Sequence, residues 1–155
     1  MPKNTEIERK FLVSSEEFKA QSVASHEICQ GYLCKEPAKT IRVRTCDEHA
    51  YLTIKSSCLR EGLAKFEWEK EIEMSDAKEI MGLCLPGMIE KTRYIIPAEP
   101  YKGEARKWEV DVFHGHLEGF MLAEIEIGDE HEPVSLPSWI GAEVTGNPRY
   151  YNANL

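Results

Sequence analysis

Charged side chains of like sign recur two residues apart along much of this chain of 155 residues. These pairs include two basic ones, Arg42 with Arg44 and Lys91 with Arg93, and several acidic ones, among them Glu6 with Glu8, Glu67 with Glu69, Glu109 with Asp111, and Glu124 with Glu126. Paired bases suit an anion held in a local basic pocket. The acids either face solvent or line the same cavity as the bases.

Strands must position these pairs, because side chains at i and i+2 of a β-strand point to the same face. Alternation of charged and apolar residues predicts strands over 4–13, 28–34, 39–46, 49–56, 64–73, 90–97, 106–114 and 121–128. Helices are predicted over 15–24, where Ser14 and Glu17 form a capping-box pattern, over 76–84, and as a short segment that Pro137-Ser138-Trp139 opens.

The strand faces opposite the charges are apolar, as with Ile41 and Val43 beside Arg42 and Arg44. Two arrangements satisfy this pattern. The charges lie on a solvent face around an apolar core, or they lie inside a closed barrel whose apolar exterior is covered. An eight-stranded barrel is just wide enough to hold a small ligand. Periodicity alone leaves both arrangements open.

The composition narrows the function classes. The chain has 19 Lys and Arg against 27 Asp and Glu, a net charge of −8, which disfavours nucleic-acid binding because phosphate attraction needs excess bases. No apolar run is long enough to span a bilayer, so no membrane partner is expected. Five cysteines without a metal-ligand spacing, and no signal-peptide pattern, predict free thiols in a cytoplasmic protein. The length suits one domain over 1–155.

The charged motifs occur in an order that resembles one known family. They include Glu6-Ile7-Glu8-Arg9-Lys10-Phe11, Gln30-Gly31-Tyr32-Leu33, Ile41-Arg42-Val43-Arg44, Leu52-Thr53-Ile54-Lys55, Lys65-Phe66-Glu67-Trp68-Glu69, Lys91-Thr92-Arg93-Tyr94, Trp108-Glu109-Val110-Asp111, Leu122-Ala123-Glu124-Ile125-Glu126 and the tail Glu143-Val144-Thr145-Gly146-Asn147-Pro148-Arg149-Tyr150. Together they resemble the CYTH superfamily, or triphosphate tunnel metalloenzymes, and its short bacterial branch in particular. Two departures are mild: Lys65 stands where Arg is common, and Asn147 where Asp is common.

This resemblance implies a mainly β (α+β) fold, an eight-stranded antiparallel closed barrel whose tunnel has a charged lumen, with a few flanking helices. It implies hydrolysis of a small triphosphate with Mg²⁺ or Mn²⁺, and inorganic tripolyphosphate, split to pyrophosphate and phosphate, is the expected substrate. Three alternatives stay open: a class IV-type adenylate cyclase, a thiamine triphosphatase, and a non-catalytic polyphosphate-binding module. The first two need a pocket for an organic group, and no purine-stacking motif stands out in the sequence.

The resemblance also carries residue roles. Its phosphate-binding positions match Lys10, Arg42, Arg44, Lys55, Lys91 and Arg93, and its metal positions match Glu6, Glu8, Asp111, Glu124 and Glu126. Glu69 is the candidate general base, with activation of the water by the metal as the alternative. Tyr32 with Lys55 or Lys91 matches a catalytic Tyr–Lys pair of the family, although packing of Tyr32 at a barrel rim explains that tyrosine equally well. Each acid could instead pair with an Arg across neighbouring strands.

The expected partners are a small-molecule triphosphate and a second copy of the chain. Phe66, Trp68 and Trp108 occupy the apolar strand faces, which would be the outside of a charged tunnel. Three short helices leave part of that outside uncovered. Since exposed apolar patches of this kind mark association surfaces, a homodimer that packs barrel against barrel is expected.

Overall fold

The computed structural model describes residues 7–36, 38–56, 66–129 and 131–155. Within these ranges the chain forms nine strands and one α-helix. The elements are β1 (Ile7–Val13), β2 (Ala24–Glu36), β3 (Lys39–Cys46), β4 (His49–Ser56), β5 (Phe66–Ile72), α1 (Met74–Met81), β6 (Ile89–Tyr101), β7 (Glu104–Phe113), β8 (Met121–Ile127) and β9 (Ile140–Glu143). Short 3-10 helices span Glu17–Gln21, Gly115–Leu117, Pro148–Tyr150 and Asn152–Asn154.

The eight predicted strands all form, and the predicted bounds of β3 and β4 coincide with those of the structure. The strand that sequence reasoning missed is β9, which has only four residues and pairs with β1 through Phe11 opposite Glu143. Four residues are too few for an alternating pattern to stand out from a loop. This strand therefore depends on its partner and not on its own sequence.

The closed eight-stranded barrel is wrong, while the mainly β, antiparallel fold is confirmed. The hydrogen-bonded strand order runs from β5 at one end to β9 at the other, and in the described part of the chain each of these two strands has a single neighbour. Closure would need a partner on the outer edge of β1, whose other edge pairs with β8. Around Phe11 and Val13 that outer edge is occupied by β9.

The chain divides into two compact units. The first contains residues 1–26 and 92–151, and the second contains 27–91 and 152–155. Strands β1, β7, β8 and β9 belong to the first unit, and β3, β4, β5 and α1 belong to the second. A single functional domain over 1–155 stays a prediction.

Four aromatic side chains form the centre of the first unit's core. Phe11, Phe18, Trp108 and Trp139 are each buried, and their rings meet edge to face at centroid distances of 5.5 to 5.7 Å. This is the favoured geometry for aromatic pairs. The expectation that Trp108 lies on an uncovered outer face is wrong, since it is 1% exposed: Phe11 and Trp139 cover it within the unit.

The second unit buries one face of its strands under α1. Val43 and Ala50 from the strands meet Ala77 from the helix in a small core. Gly31 belongs to the same face, because a Cβ at this position would lie 2.9 Å from the sulfur of Cys84. A larger side chain would force the side chains of Cys84 and Met88 to shift. The charged residues of these strands are therefore left on the opposite face.

One of the three predicted helices forms as an α-helix, and the other two do not. A helix near 76–84 forms as Met74–Met81, but the helix predicted over 15–24 is a 3-10 helix of five residues. The predicted capping box fails because the Ser14 hydroxyl donates to the carbonyl of Ser138 at 3.4 Å. The segment at Pro137-Ser138-Trp139 is a turn. In the described ranges, every helix falls short of the length and apolar character needed to cross a bilayer.

Burial of Trp108 makes a prediction about stability. We expect Trp108→Ala to lower the free energy of unfolding by about 3–5 kcal/mol, because it removes apolar contacts and leaves a cavity. Leu83→Ala, at a side chain that is 73% exposed, should change it by less than about 0.5 kcal/mol. Urea unfolding followed by circular dichroism measures both values. A loss below 1 kcal/mol for Trp108→Ala would contradict the assignment of this tryptophan to the core.

Candidate active site

One face of the first unit collects charged side chains from three strands. Residues directly opposite each other on antiparallel strands share a face, and here Lys10 lies opposite Glu124, which also lies opposite Glu109. The alternate residues, such as Phe11 and Ile125, are buried in the core. We call this surface the acidic face, and its members are Glu8, Lys10, Glu109, Asp111, Glu124 and Glu126.

Arg93 is held against the acidic face by a two-pronged ion pair. Its Nε donates to Oδ1 of Asp111 at 2.8 Å and its Nη2 donates to Oδ2 at 3.0 Å, while Nη1 lies 3.7 Å from Oε2 of Glu109. Burial alone would lower the pKa of Arg93, but the hydrogen bonds and charge of Asp111, followed by the charge of Glu109, raise it above its usual range. Arg93 is therefore a fixed cation, and both oxygens of Asp111 serve to orient it.

Lys10 has several partners around its ammonium group. The Nζ atom lies 3.6 Å from Oε1 of Glu124, donates to the carbonyl of Tyr150 at 3.3 Å, and lies 5.4 Å from the centre of the Tyr151 ring. The last turn of the first unit thus reaches a lysine of the acidic face. A cation in these surroundings is oriented before any ligand arrives.

Glu8 and Glu124 form a carboxyl–carboxyl contact. The pKa of Glu124 is raised to about 7, first by burial and then by the hydrogen bond and negative charge of Glu8, while the charge of Lys10 acts in the opposite direction. Two carboxyl groups at one place share a proton unless a cation neutralises them. An all-oxygen donor set of this kind fits a hard divalent ion such as Mg²⁺ or Mn²⁺.

A cavity of about 620 Å³ opens beside these acids within the first unit. Glu109, Glu124 and Glu126 line one part of it, and Lys102 and Lys107 line another. Room for a small ligand therefore adjoins the carboxylates. Its lining of acids and lysines suits an anion that arrives together with a metal ion.

The second unit has its own charged surface, on the face that α1 does not cover. Arg42 lies opposite Tyr32 on one neighbouring strand and opposite Thr53 on the other, and Arg44 lies opposite Gln30. We call this surface the basic face, and its members are Gln30, Tyr32, Arg42, Arg44, Thr53, Lys55, Glu67 and Glu69.

Glu69 is held by one of its two oxygens. Thr53 donates its hydroxyl to Oε2 at 2.7 Å, and Nη2 of Arg42 lies 3.9 Å from the same oxygen. The other oxygen accepts no hydrogen bond from the residues described in the structure. Glu69 therefore has a fixed orientation and a carboxylate oxygen that is available to a proton or a ligand.

The predicted lysines and tyrosine of the second unit differ in their surroundings. Nζ of Lys55 lies 3.8 Å from Oε1 of Glu67, whereas Lys91 is fully buried and its Nζ donates to Oδ1 of Asn152 at 3.4 Å. The ammonium group over the Tyr32 ring is that of Lys35, at 5.5 Å. A catalytic pair of Tyr32 with Lys55 or Lys91 stays a prediction.

Sequence reasoning placed most of these residues on the right faces and missed two. Glu6 lies outside the described residues. Gln30 and Thr53 were not assigned a role, although both contact a predicted site residue: Gln30 accepts from Nε of Arg44 at 2.8 Å, and Thr53 donates to Glu69. Both stand two residues from a predicted site position, so the alternation that identified the charges could also have identified them.

Comparison with known proteins identifies the family of this chain. The sequence profile of the CYTH domain matches residues 4–152, nearly the whole chain. The chain belongs to the CYTH family. A protein named inorganic triphosphatase from Acetivibrio thermocellus is 43% identical over 152 residues, which cover 97% of this chain and 92% of that protein.

Two further comparisons, one of sequence and one of structure, support the family and the fold. Another protein named inorganic triphosphatase, from Nitrosomonas europaea, is 34% identical over 157 residues, covering 97% of this chain and 96% of the relative. A crystal structure described as that of an inorganic triphosphatase superposes with a TM-score of 0.73 at 31% identity, over 97% of this chain and 93% of the other.

The carboxyl pair makes a prediction about pH. Glu124 has an ordinary pKa of 4.5 and a pKa of about 7 in the folded chain. Between these values the native state binds more protons than the unfolded state, so the free energy of unfolding should fall as the pH rises through this window. Glu124→Gln removes the titration. In EDTA, we therefore expect the Tm of Glu124→Gln minus that of the wild type to increase from pH 5 to pH 8.

The matched control is Glu118→Gln, which removes an exposed carboxylate beyond the 3-10 helix Gly115–Leu117. Its Tm should follow the wild type at every pH. Thermal unfolding followed by circular dichroism gives the three curves. An equal Tm difference for Glu124→Gln at pH 5 and pH 8 would rule out the shared proton.

Proposed function

We propose that this CYTH protein is a metal-dependent hydrolase of a small triphosphate, and that inorganic tripolyphosphate, split to pyrophosphate and phosphate, is its substrate. The contact between Glu8 and Glu124 carries the proposal. Binding an anion requires bases alone, whereas paired carboxylates repel a polyphosphate unless a divalent cation lies between. The relatives named inorganic triphosphatases support the same substrate class.

The metal ligands that we propose are Glu8, Glu124 and Glu126, together with Glu6. Glu8 and Glu124 share a contact, and Glu126 lies opposite Glu8 on the neighbouring strand. Asp111 is a weaker candidate ligand, because both of its oxygens accept hydrogen bonds from Arg93. When bound, Mg²⁺ or Mn²⁺ would withdraw negative charge from the phosphoryl oxygens.

The bases of the two faces are proposed to bind the phosphoryl oxygens. Arg42 and Arg44 can each offer a planar pair of donors, whereas a lysine acts as a compact charge. Phosphoryl transfer spreads negative charge over the oxygens of the transferred group, so cations fixed in place before the reaction stabilise the transition state. The substrate-binding set that we propose is Lys10, Arg42, Arg44, Lys55, Lys91 and Arg93.

Glu69 is the proposed acceptor of the proton from the attacking water. Thr53 holds one carboxylate oxygen, which leaves the other to face a ligand. Arg42 lies near the same held oxygen, with its Nη2 at 3.9 Å, and so helps to orient the carboxylate. We also propose that Tyr32, with Lys55 or Lys91, assists the reaction as the family resemblance implies.

The cavity in the first unit favours an inorganic substrate over a nucleoside or thiamine triphosphate. Of its described lining residues, Tyr101 alone is aromatic. Its ring already lies 5.4 Å from Nζ of Lys102 and 5.5 Å from Cζ of Arg106. Stacking of a purine or thiamine ring on Tyr101 would have to displace these two cation–π contacts.

We further propose that the protein works in the cytoplasm as a homodimer, without a nucleic-acid or membrane partner. Cys29, Cys34, Cys46 and Cys84 are free thiols, which suits a reducing compartment. Phe66 and Trp68 are 39% and 40% exposed on β5, at the end of the strand order. A second copy would cover these two rings.

Product analysis tests the function. Phosphorus NMR should show tripolyphosphate converted to pyrophosphate and phosphate when Mg²⁺ or Mn²⁺ is present and not in EDTA, with ATP turned over much more slowly. Arg42→Ala should slow the reaction about 10²- to 10³-fold, because it removes a donor to the transferred group. The exposed Arg149→Ala should keep the wild-type rate. Cyclic AMP with pyrophosphate as the main products of ATP would contradict the hydrolase assignment.

Sedimentation tests the dimer. The wild-type chain should sediment as a dimer at micromolar concentration, and Trp68→Glu should shift it to the monomer, because a carboxylate cannot be buried unpaired in an apolar contact. Leu83→Glu introduces the same group at another exposed apolar position and should leave the dimer intact. A wild-type monomer at these concentrations would contradict the proposal.

A further inference from the structure

Gln30 is a buried side chain of the basic face with one group unsatisfied. The residue is 0% exposed, and its Oε1 accepts a hydrogen bond from Nε of Arg44 at 2.8 Å. Its Nε2, in contrast, finds no hydrogen-bond acceptor among the residues that the structure describes. Leaving a buried donor without an acceptor costs roughly 1–3 kcal/mol. A fold that keeps such a group needs a compensating partner.

The orientation of the Gln30 amide follows from its neighbour. Oxygen and nitrogen of a glutamine amide are assigned from the hydrogen-bond network. Turning the amide over would place its NH₂ group against the Nε–H of Arg44, two donors facing each other at 2.8 Å. Arg44 has no acceptor to offer, since a guanidinium only donates. Because Oε1 must face Arg44, Nε2 is the atom of the amide that is left without an acceptor.

A second buried donor of the basic face also lacks a hydrogen-bond acceptor. Nε of Arg42 is buried and likewise lacks an acceptor in the described part of the chain. Gln30 lies opposite Arg44, and Arg42 is two residues from Arg44 on the same face of β3. Two buried donors on neighbouring strands thus lack acceptors at the same part of this face. A group with several acceptor oxygens can satisfy both.

We propose that Gln30 is a further substrate-binding residue, whose Nε2–H donates to a phosphoryl oxygen while its Oε1 holds Arg44 in place. This inference rests on the proposed function, since it names a contact in the same site. A neutral donor adds no charge, so it fixes the position of a phosphoryl oxygen among cations that attract the anion from many directions. The same amide therefore orients Arg44 through its oxygen and positions the substrate through its nitrogen.

The experiment uses imidotriphosphate, an analogue of tripolyphosphate whose bridging nitrogens resist hydrolysis, in the presence of Mg²⁺. Calorimetry should give a Kd for Gln30→Met that is about 10- to 100-fold higher than that of the wild type, as expected for a lost hydrogen bond to a charged group. Gln30→Glu retains an acceptor for Arg44 but loses the donor and repels the anion, so its Kd should rise at least as far. The chain's other glutamine supplies the control, and Gln21→Met should bind as the wild type does.

A second measurement needs no substitution at position 30. The chain has two glutamines, so the side-chain amide signals of a glutamine-labelled wild-type sample are assigned by comparison with Gln21→Met. Imidotriphosphate with Mg²⁺ should shift the Gln30 amide protons downfield and leave those of Gln21 unchanged. This readout decides the matter even where Gln30→Met fails to fold.

The outcomes separate the two proposals. If the wild type does not bind imidotriphosphate, both the proposed function and this inference fail. If it binds, but the Gln30 amide signals do not move and Gln30→Met binds within twofold of the wild type, the inference alone fails. A buried water would then be the partner of Nε2, and Gln30 would serve only to hold Arg44.

Discussion

The two-residue period of the β-strand is the constraint on which both charged faces depend. Each strand must bury its apolar side chains, and the next residue along the chain then points the other way. Phe11, Trp108 and Ile125 fill the core of the first unit, so Lys10, Glu109 and Glu124 share the opposite face. A shift of one residue in the pairing would reverse every side chain and bury the charges. Register and site are therefore selected together by burial of the apolar set.

Charged side chains that share one face need partners that offset their repulsion, and the two units provide these partners in different ways. Asp111 and Arg93 neutralise each other through two parallel hydrogen bonds, which fixes a cation for ligand binding. Glu8 and Glu124 have no such arrangement, because Lys10 offsets only part of their repulsion. On the basic face, Gln30 and Thr53 are neutral residues that orient Arg44 and Glu69. Polar neutral side chains thus position the charged ones that would act on a substrate.

Hydrogen bonds that fix the charged side chains in place explain how such a surface can be specific for one ligand. Ion pairs between exposed side chains contribute little, because solvent screens them and the side chains keep many conformations. The bidentate hold on Arg93 and the hydrogen bonds to Arg44 and Glu69 remove that freedom. A polyphosphate then meets donors that are already in place, so less of its binding energy is lost to ordering the site.

The sequence by itself determined the strands, the sign of the charge at each site position and membership of the family, because period-two alternation is local and each motif lies within a single strand. It did not determine β9, whose four residues pair with β1 only when the chain is folded. Nor did it determine that Trp108 is covered within its own unit, since the rings of Phe11 and Trp139 come from distant parts of the chain. The carboxyl pair of Glu8 with Glu124, and the amide of Gln30 against Arg44, likewise depend on which strands become neighbours. Alternation specifies the face that a side chain occupies, but only strand pairing specifies what it meets there. The prediction of a closed barrel failed for the same reason, because the edge of β1 pairs with a strand that the local pattern does not reveal.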